Sequence, residues 1–384
     1  MTYEASRIIK EMPKRNPANG TFELTVRCNL HCKMCLFRHD DSENPDIMAK
    51  ELTAEQWENI AKQAAGAGTG SLLITGGEPM IRKDFCDIWE RIYKQGFLIT
   101  LYTNASLITP EIMETLAKYP PHKIGVTLYG ASEETYKAVC GNGAAFYNAL
   151  DGIHKLRELP SLIDFRTTII KDNYHDVDAI EALIQNEFGE GHSLTQTRIV
   201  MKAVRGGCAD VAGCRLEPED NIRLAFRRGI NQIKKQVGDA YDEKKLHLER
   251  KAPKDQTAGL RLSLLGCNAG MNEYTVSWDG KLLACQLLDL FYTDVLQEGF
   301  DRAWERLPLV VPSMQESPSC MECANKELCN CCVASRLAET GKVDGCPEYI
   351  CRDTAIIRKL LDEGGIGYGE RSVRKTENDF CIIT

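Results

Sequence analysis

Six short runs rich in β-branched and aromatic residues alternate with amphipathic segments between Thr21 and about Val200. These runs are FELTVR (22–27), SLLIT (71–75), FLITLY (97–102), KIGVTL (123–128), DFRTTII (164–170) and TQTRIV (195–200). Repeated strand and helix units predict a parallel sheet, because parallel strands need helical crossovers between them. In such sheets, reactive side chains collect where the strands reach their carboxyl ends. We therefore expect the functional site at that edge.

The number of cysteines indicates which kinds of chemistry the protein performs. The chain has 17, an odd number, and ten of them lie from Cys267 onward. The polar opening segment does not resemble a secretory signal, and no apolar run approaches the roughly 20 residues that span a bilayer. We therefore expect a cytoplasmic protein that does not bind a membrane. A reducing compartment leaves metal binding or catalysis as the usual reason for so many thiols.

The overall charge bears on the partners. The formal net charge is −8, and we find no block of Lys and Arg interleaved with aromatic residues. Such blocks are typical of proteins that follow a phosphate backbone. Nucleic acid is therefore not an expected partner.

Changes in periodicity along the chain predict five segments. A linker or active-site loop is expected where the pattern becomes rich in Gly after the sixth run, and a hairpin turning at Asp279-Gly280 is expected later. The predicted segments are an N-terminal stretch (1–20), a parallel-sheet region (21–202), a linker and helical region (203–262), a cysteine-rich domain (263–352) and a C-terminal helix and tail (353–384).

The sequence CNLHCKMC follows the first run and places Cys28, Cys32 and Cys35 on one short loop. Three thiolates can hold three corners of a four-iron cluster and leave one iron open for a ligand. A structural zinc site is the alternative, with His31 or His39 as the fourth ligand.

This loop resembles the signature of radical S-adenosylmethionine (SAM) enzymes, as do LLITGGEP (72–79) and LYTNAS (101–106) at the ends of the next two runs. The resemblance implies an α/β fold, a partial (β/α)6 TIM-like barrel. It also implies a [4Fe-4S] cluster on the CxxxCxxC loop, with SAM on its open iron. In the family, one electron cleaves SAM to methionine and a 5'-deoxyadenosyl radical. By analogy, the cofactor-binding residues are Met34, Gly76, Gly77, Glu78, Pro79, Asn104 and Arg166.

The chain departs from the family pattern at two positions. Met34 stands where relatives often have an aromatic residue, and it is a flexible, polarizable substitute. TLYG on the fourth run replaces a SIDG-like sequence, so Tyr129 occupies a position where an acidic residue is expected.

The C-terminal cysteines resemble a SPASM extension, the iron-sulfur extension of many radical enzymes that modify peptides and proteins. The resemblance implies one or two auxiliary [4Fe-4S] clusters. In the arrangement that we favour, one cluster has Cys267, Cys285 and Cys332, and the other has Cys320, Cys323, Cys329 and Cys346. Cys331 is an alternative to Cys332, and Cys351 to Cys346. Zinc ribbons have similar CxxC spacing and remain the alternative.

Four other cysteines receive separate interpretations. Cys208 and Cys214 follow the sixth run, where a thiol could return a hydrogen atom to a substrate radical, as in peptide epimerases. The alternative is that both are incidental loop thiols. Cys86 and Cys140 lie within or beside helical patterns and are expected to be small buried hydrophobic residues.

The resemblance implies a class of reaction. Our leading interpretation is a maturase that installs a thioether or carbon crosslink, or an epimerised centre, in a ribosomally made peptide or small protein. It would need an electron donor such as flavodoxin or ferredoxin. One alternative is a sulfatase-type maturase that makes formylglycine, with Asp279 or Asp289 as general base. The others are a small-molecule dehydrogenase, a haem-pathway enzyme, and a non-enzymatic iron-sulfur or zinc protein.

Overall fold

The computed structural model gives the fold in two compact units, which are described separately. The first unit comprises Met1–Arg215 and Leu262–Met314, and the second comprises Leu216–Arg261 and Gln315–Thr384. The structure describes residues 14–36, 45–189, 191–202, 205, 211–240, 246–249, 265, 267–312, 318–329, 331–362 and 380–383.

The first unit is built on a sheet whose first six strands run parallel, as the alternating pattern predicts. These strands pair in the order in which they occur along the chain. They are β1 (Asn19–Glu23), β2 (Ser71–Thr75), β3 (Leu98–Thr103), β4 (Lys123–Thr127), β5 (Leu162–Thr168) and β6 (Leu194–Thr197). The strands and their crossover helices form the α/β partial barrel. The expectation about fold class is therefore confirmed.

Helices connect the strands and cover one face of the sheet. They are α1 (Pro45–Lys50), α2 (Ala54–Gly66), α3 (Phe85–Tyr93), α4 (Pro110–Lys118), α5 (Glu133–Cys140), α6 (Ala145–Leu156), α7 (Val177–Phe188) and α8 (Val211–Cys214). Local sequence fixes several helix starts. Thr53 and Gln56 form a capping box at α2, and Ser132 caps α5 by accepting from the Thr135 amide. Such caps satisfy amide groups that have no partner within the helix.

The core lies between the sheet and these helices. Phe22 on β1 packs against Trp57 on α2 with ring centroids 5.1 Å apart, and both side chains are fully buried. Alternation along β2 buries Leu72 and Ile74, while the residues on the other face are partly exposed. One face of each strand is thus fixed against the helices, so the other face and the carboxyl edge remain for the site.

Strands from the C-terminal third extend the sheet beyond β1. β8 (Glu273–Val276) pairs parallel with β1, and β9 (Lys281–Leu283) and β10 (Tyr292–Asp294) continue the sheet in antiparallel fashion. The helices α10 (Val295–Glu298) and α11 (Phe300–Val310) follow. The predicted turn at Asp279-Gly280 joins β8 to β9, and Gly280 has a φ of 87°, which favours glycine.

The second unit combines two separate parts of the chain. It contains α9 (Pro218–Val237), α12 (Pro318–Met321), α13 (Val333–Thr340) and α14 (Glu348–Asp362), with β7 (Leu246–Glu249) parallel to β11 (Phe380–Ile383). Helix α9 begins at Pro218, within the linker and helical region that the sequence predicts.

The compact units cross the segment boundaries that the sequence predicts. The expected cysteine-rich domain at 263–352 is divided, because β8 pairs with β1 and residues up to Met314 therefore belong to the first unit. Within the described ranges, no helix is both long and apolar enough to cross a membrane.

Candidate functional site

The three-cysteine loop is held by backbone hydrogen bonds. Its His31 and Lys33 amides donate to the carbonyl oxygens of Cys140 and Val139 at the end of α5, at 2.9 and 3.0 Å. The loop leaves the sheet just beyond β1, at the carboxyl edge where the sequence predicts the site. The loop is therefore fixed at both its strand end and its helix contact.

The sulfur of Cys28 lies among hydrogen-bond donors. The Leu30 amide donates to it at 3.4 Å and the side-chain amide of Asn104 at 3.8 Å. Burial raises the pKa of the Cys28 thiol to about 12. In the metal-free protein this thiol is therefore protonated, and cluster assembly must release its proton.

Cys32 is the most buried of the three cysteines of this loop, and its thiol interacts with two side chains from later in the chain. A hydrogen bond with Cys140 and burial raise the pKa of the Cys32 thiol well above its ordinary value, and Tyr129 opposes this rise. Cys140 is buried, as expected from the sequence, and its sulfur donates to the Tyr136 carbonyl oxygen at 3.0 Å. Sequence reasoning missed both interactions of Cys32 because Tyr129 and Cys140 lie about 100 residues further along the chain.

The number of thiols on the cysteine loop bears on which kind of metal group the loop could hold. In the part of the chain that the structure describes, no three His, Cys, Asp or Glu side chains converge on a single ion. A four-iron cluster imposes a different requirement, because each thiolate binds a different iron atom. Three thiols on one rigid loop satisfy that requirement.

The GGEP segment lies against the chain that leads into the cysteine loop. The Gly77 amide donates to the Thr25 carbonyl oxygen at 2.7 Å, and the Glu78 amide donates to that of Arg27 at 2.9 Å. A methyl group on Gly76 would clash with the Thr25 backbone. That Gly76 and Gly77 bind the cofactor stays a prediction. In the structure they let two backbone segments approach each other.

The Glu78 carboxylate is fully buried and organises the end of β3. It accepts hydrogen bonds from the Thr103 hydroxyl at 2.9 and 3.0 Å and from the backbone amides of Asn104 at 2.8 Å and Met80 at 3.2 Å. Pro79 begins a short 3₁₀ turn directly after it. The side chain of Glu78 thus joins the second motif to the third.

The buried Glu78 should make stability depend on pH. Burial raises the pKa of Glu78 from 4.5 to about 7. Between these values the folded protein holds a proton that the unfolded chain has lost, so stability falls as pH rises from about 4.5 to about 7. Over this range the free energy of unfolding falls by about 3 kcal/mol, at 1.36 kcal/mol per pKa unit. A Glu78→Gln protein should show a smaller fall in Tm between pH 5.5 and 8.

The matched control for this measurement is Glu114→Gln, which changes an exposed carboxylate on α4. Its melting temperature should follow that of the wild-type protein at every pH. Parallel curves for the wild type and Glu78→Gln would contradict the prediction.

Asn104 connects the third motif to the cysteine loop. Its side-chain amide donates to the Asn29 side-chain oxygen at 3.0 Å, and the Asn29 amide donates to the Ser106 hydroxyl at 2.8 Å. The Ser106 hydroxyl in turn donates to the Asn104 oxygen at 2.6 Å. Next to it, Ala105 has a φ of 58°, which is strained for a residue other than glycine. This network aligns the strand end with Cys28.

The remaining predicted cofactor residues lie on or near the same sheet edge. Arg166 on β5 donates to the Tyr102 hydroxyl at 2.6 Å and contacts Asp164 at 3.4 Å. Its guanidinium carbon also lies 4.5 Å from the centre of the Tyr102 ring. Met34 is buried within the loop, at 9% exposure. Whether Arg166 or Met34 contacts SAM stays a prediction.

Of the two proposed hydrogen-atom donors, the structure describes only one. Cys208 lies outside the described residues. Cys214 ends α8, is buried, and donates to the Val211 carbonyl oxygen at 3.3 Å. Nearby in sequence, Arg205 forms two hydrogen bonds with the buried Glu23 at the end of β1, at 2.8 and 2.6 Å.

The two carboxylates considered as general bases differ in their surroundings. Asp279 accepts from the Ser277 hydroxyl at 2.6 Å and pairs with Lys281 at 2.8 Å. Asp289 is partly buried, and burial raises its pKa, an effect that Arg205 opposes. Whether either carboxylate acts as a general base stays a prediction.

The C-terminal cysteines are divided between the compact units. Cys267 and Cys285 belong to the first unit, and Cys285 lies just beyond β9. The other ligand candidates belong to the second unit: Cys320, Cys323, Cys329, Cys331, Cys332, Cys346 and Cys351.

Several thiols of the second unit lie close together. The sulfurs of Cys346 and Cys351 are 3.1 Å apart. A hydrogen bond with Cys331, together with the buried Arg336 guanidinium, lowers the pKa of Cys329 to about 6. Cys320 interacts electrostatically with Arg336, Cys329 and Cys346. Thiols beside a buried cation suit a site for a metal cluster that requires thiolates.

Cys331 and Cys332 have different local roles. Cys331 bonds to Cys329, whereas Cys332 caps α13 by accepting from the Ser335 amide at 3.4 Å. Cys323 follows α12, and its amide donates to the Cys320 carbonyl oxygen at 3.3 Å. The ligand assignment, including our preference for Cys332, stays a prediction.

Comparisons with known proteins agree with this geometry. Residues 22–184 match the model of the Radical SAM superfamily. The AdoMet-dependent heme synthase of Methanosarcina barkeri is 26% identical over 332 residues, which cover 83% of this chain and 92% of that protein. The mycofactocin maturase MftC of Mycobacterium ulcerans is 26% identical over 364 residues, which cover 91% and 92%.

The fold also matches a solved structure. Streptococcus suis SuiB bound to its precursor peptide SuiA has a TM-score of 0.64 and 16% identity, covering 90% of this chain and 78% of that chain. At this identity the likeness concerns the fold alone.

Proposed function

We propose that this chain, which is an enzyme and matches the Radical SAM superfamily over residues 22–184, modifies a ribosomally synthesised peptide. The observation that carries the chemistry is the arrangement at the sheet edge, where the cysteine loop meets the GGEP and TNAS segments. When bound, the four-iron cluster and SAM would supply a 5'-deoxyadenosyl radical that removes a hydrogen atom from the substrate.

The chain's own residues would hold and orient these groups. Cys28, Cys32 and Cys35 would bind three irons and leave the fourth for SAM. The Glu78 carboxylate, which fixes Thr103 and Asn104, would keep the two motifs in register beside that iron. Fixed donors and a rigid loop reduce the reorganisation needed during reaction.

Two relatives support a peptide as the substrate. MftC is a maturase, and SuiB has been crystallised with a precursor peptide. Both matches extend over about nine-tenths of this chain. The product would be a thioether or carbon crosslink or an epimerised residue. A return of hydrogen by Cys208 or Cys214 would be needed only for epimerisation.

We further propose that the C-terminal cysteines hold auxiliary iron-sulfur clusters, as in a SPASM extension. The thiols gathered near Arg336 are the observation that favours a site in the second unit. Two auxiliary clusters and the radical cluster would give about 12 irons per chain. Separate alanine substitutions of Cys331 and Cys332 would distinguish the ligand, because only its loss should lower the iron content.

Tetrapyrrole chemistry is the second candidate function. The haem synthase of M. barkeri covers 83% of this chain, and its identity equals that of MftC. A radical cluster at the same sheet edge would serve either substrate. The choice therefore requires an assay of substrates.

The test begins with anaerobic reconstitution by iron and sulfide, followed by SAM and dithionite. We expect 5'-deoxyadenosine, with more formed when a precursor peptide encoded beside the gene is added. The peptide should lose two hydrogen atoms on crosslinking or gain deuterium from D2O on epimerisation. Fe-coproporphyrin III serves as the tetrapyrrole probe. Conversion of this probe with no change in any peptide would overturn the peptide proposal in favour of the second candidate.

A further inference from the structure

The face of the sheet away from the helices carries a charged side chain at Arg166 on β5. The neighbouring Phe165 and Thr167 are buried, and the Phe165 ring packs against Phe188 on α7. Successive residues of a strand point to opposite faces, so Arg166 lies on the face that the helices leave open. Its side chain is 29% exposed and can therefore reach a ligand.

A glycine on the neighbouring strand lets Arg166 lean across the sheet. A methyl group on Gly125 of β4 would lie 2.6 Å from the Tyr102 ring and 3.2 Å from the Arg166 side chain. In the sheet, Gly125 pairs with Asp164, which lies two residues before Arg166 on β5. The Arg166 side chain is therefore directed toward the amino ends of the strands. It leans back from the carboxyl edge, where the cysteine loop follows β1.

Tyr102 on β3 holds the guanidinium group in one orientation. Arg166 Nη1 donates to the Tyr102 hydroxyl at 2.6 Å, and the guanidinium carbon lies 4.5 Å from the ring centre. Arg166 Nε and Nη2 make no hydrogen bond to any residue that the structure describes, and neither atom is buried. These two atoms form the side of a guanidinium that can bind a carboxylate through two parallel hydrogen bonds. That side is therefore both fixed and accessible.

Two cations share one carboxylate at this place on the sheet. Asp164 lies 3.4 Å from Arg166 Nη1 and 3.6 Å from Lys123 Nζ, and both distances exceed those of ordinary hydrogen bonds. Among residues with described positions, Asp164 alone offers a carboxylate to either cation. The three side chains together carry one net positive charge on a partly exposed surface. Such a surface attracts an anion.

We propose that Arg166 is a substrate-binding residue whose Nε and Nη2 atoms hold a carboxylate of the substrate. The proposal rests on the proposed function, in which this carboxylate belongs to an acidic residue or to the C-terminus of the peptide. Tyr102 precedes Asn104 by two residues, and the Asn104 side-chain amide contacts the Cys28 sulfur. A substrate anchored at Arg166 would therefore extend from the open face toward the cysteine loop. The propionates of a tetrapyrrole offer the same chemical group, so the test includes both sources.

SAM also carries a carboxylate, and the family resemblance implies that Arg166 contacts SAM. The direction of the Arg166 side chain, away from the carboxyl edge, favours the substrate instead. The two possibilities predict different kinetics. Loss of a substrate contact raises the KM for the substrate, whereas loss of a SAM contact raises the KM for SAM.

The test measures 5'-deoxyadenosine formation by the reconstituted enzyme while the precursor peptide and SAM are varied separately. In Arg166→Gln, the KM for the peptide should rise about 10- to 100-fold, the range expected for charge-assisted hydrogen bonds. The KM for SAM should equal that of the wild type. Arg157→Gln is the matched control, because it removes an exposed arginine that lies over the Phe188 ring on the helix side. It should change neither constant.

A second variant covers the case in which Arg166→Gln fails to fold. Tyr102→Phe keeps the ring and removes the hydroxyl that fixes the guanidinium. Its KM for the peptide should rise about two- to tenfold, as expected for one hydrogen bond. Wild-type KM values for the peptide in both variants would overturn the proposal, as would a rise in the KM for SAM in place of that for the peptide.

Changes in the peptide identify the carboxylate. Each acidic residue is replaced in turn by its amide, and the C-terminus is amidated. One of these changes should raise the KM of the wild-type enzyme by the same factor as Arg166→Gln, and it should have no further effect in that variant. If the enzyme accepts every amide peptide with an unchanged KM, the proposal is wrong.

A binding experiment separates failure of this proposal from failure of the proposed function. If no peptide is modified, the full chain is titrated with Fe-coproporphyrin III and binding is followed by absorbance. Binding that is about tenfold weaker in Arg166→Gln, and unchanged in Arg157→Gln, would support the carboxylate site although the peptide function had failed. Equal binding by wild type and Arg166→Gln, or no binding, would overturn the site as well.

Discussion

A Cys32→Ala protein should lose four irons per chain and form no measurable 5'-deoxyadenosine. The loss of a thiolate removes one corner of the cluster. Even changes in the outer shell of a metal site cost roughly 10–100-fold in affinity or activity, so we expect a fall of at least about 100-fold. Iron analysis and chromatographic detection of deoxyadenosine after reduction with dithionite measure both effects.

Cys86→Ala is the matched control for this loss. Cys86 lies on α3 in the same compact unit and is partly exposed, so the expectation that it is buried is wrong. Its sulfur lies 4.0 Å from the Glu111 carbonyl oxygen. It should retain wild-type iron content and product formation. Full deoxyadenosine formation by Cys32→Ala would refute the assignment of the radical cluster to this loop.

Gly77→Ala should displace the GGEP segment and weaken both stability and turnover. A methyl group at this position would lie 2.7 Å from the Val26 carbonyl oxygen, and backbone atoms cannot yield as a flexible side chain can. Overpacking of this kind typically costs 1–3 kcal/mol, and we expect about 3 kcal/mol here. A displacement of about 1 Å can lower a rate by about 100-fold, so deoxyadenosine formation should fall by a similar factor.

Gly70→Ala tests whether the effect of Gly77 is specific. A methyl group on Gly70, just before β2, meets open space. Its thermal unfolding and its rate of deoxyadenosine formation should therefore match the wild type. If Gly77→Ala unfolds at the wild-type temperature and reacts at the wild-type rate, the close packing of the two segments has no role in the site.

Local patterns were sufficient to predict the parallel sheet. The alternation that buries Leu72 and Ile74 is visible in SLLIT, and Thr53 with Gln56 marks the start of α2. Pairing of β8 with β1 was not predictable in this way. It joins segments far apart in the chain, and no local periodicity specifies which edge a short strand will choose.

The candidate site was predictable as a set of motifs, whereas its internal contacts were not. The motif spacing indicated Cys28, Cys32 and Cys35 and the glycines that follow β2. It gave no sign that Glu78 would direct its carboxylate to Thr103, or that the Asn104 side chain would donate to Asn29. These contacts depend on how neighbouring strands end relative to one another, which only the assembled sheet determines.

The pairing of β8 with β1 also affects how the protein is made. Tyr274 pairs with Gly20, about 250 residues earlier in the chain. At a synthesis rate of roughly 5–20 residues per second, β1 waits about 12–50 seconds on the ribosome with one edge unpaired. During this interval the cysteine loop that follows β1 belongs to an unfinished sheet. Delivery of iron and sulfide should therefore succeed mainly after translation has passed β8.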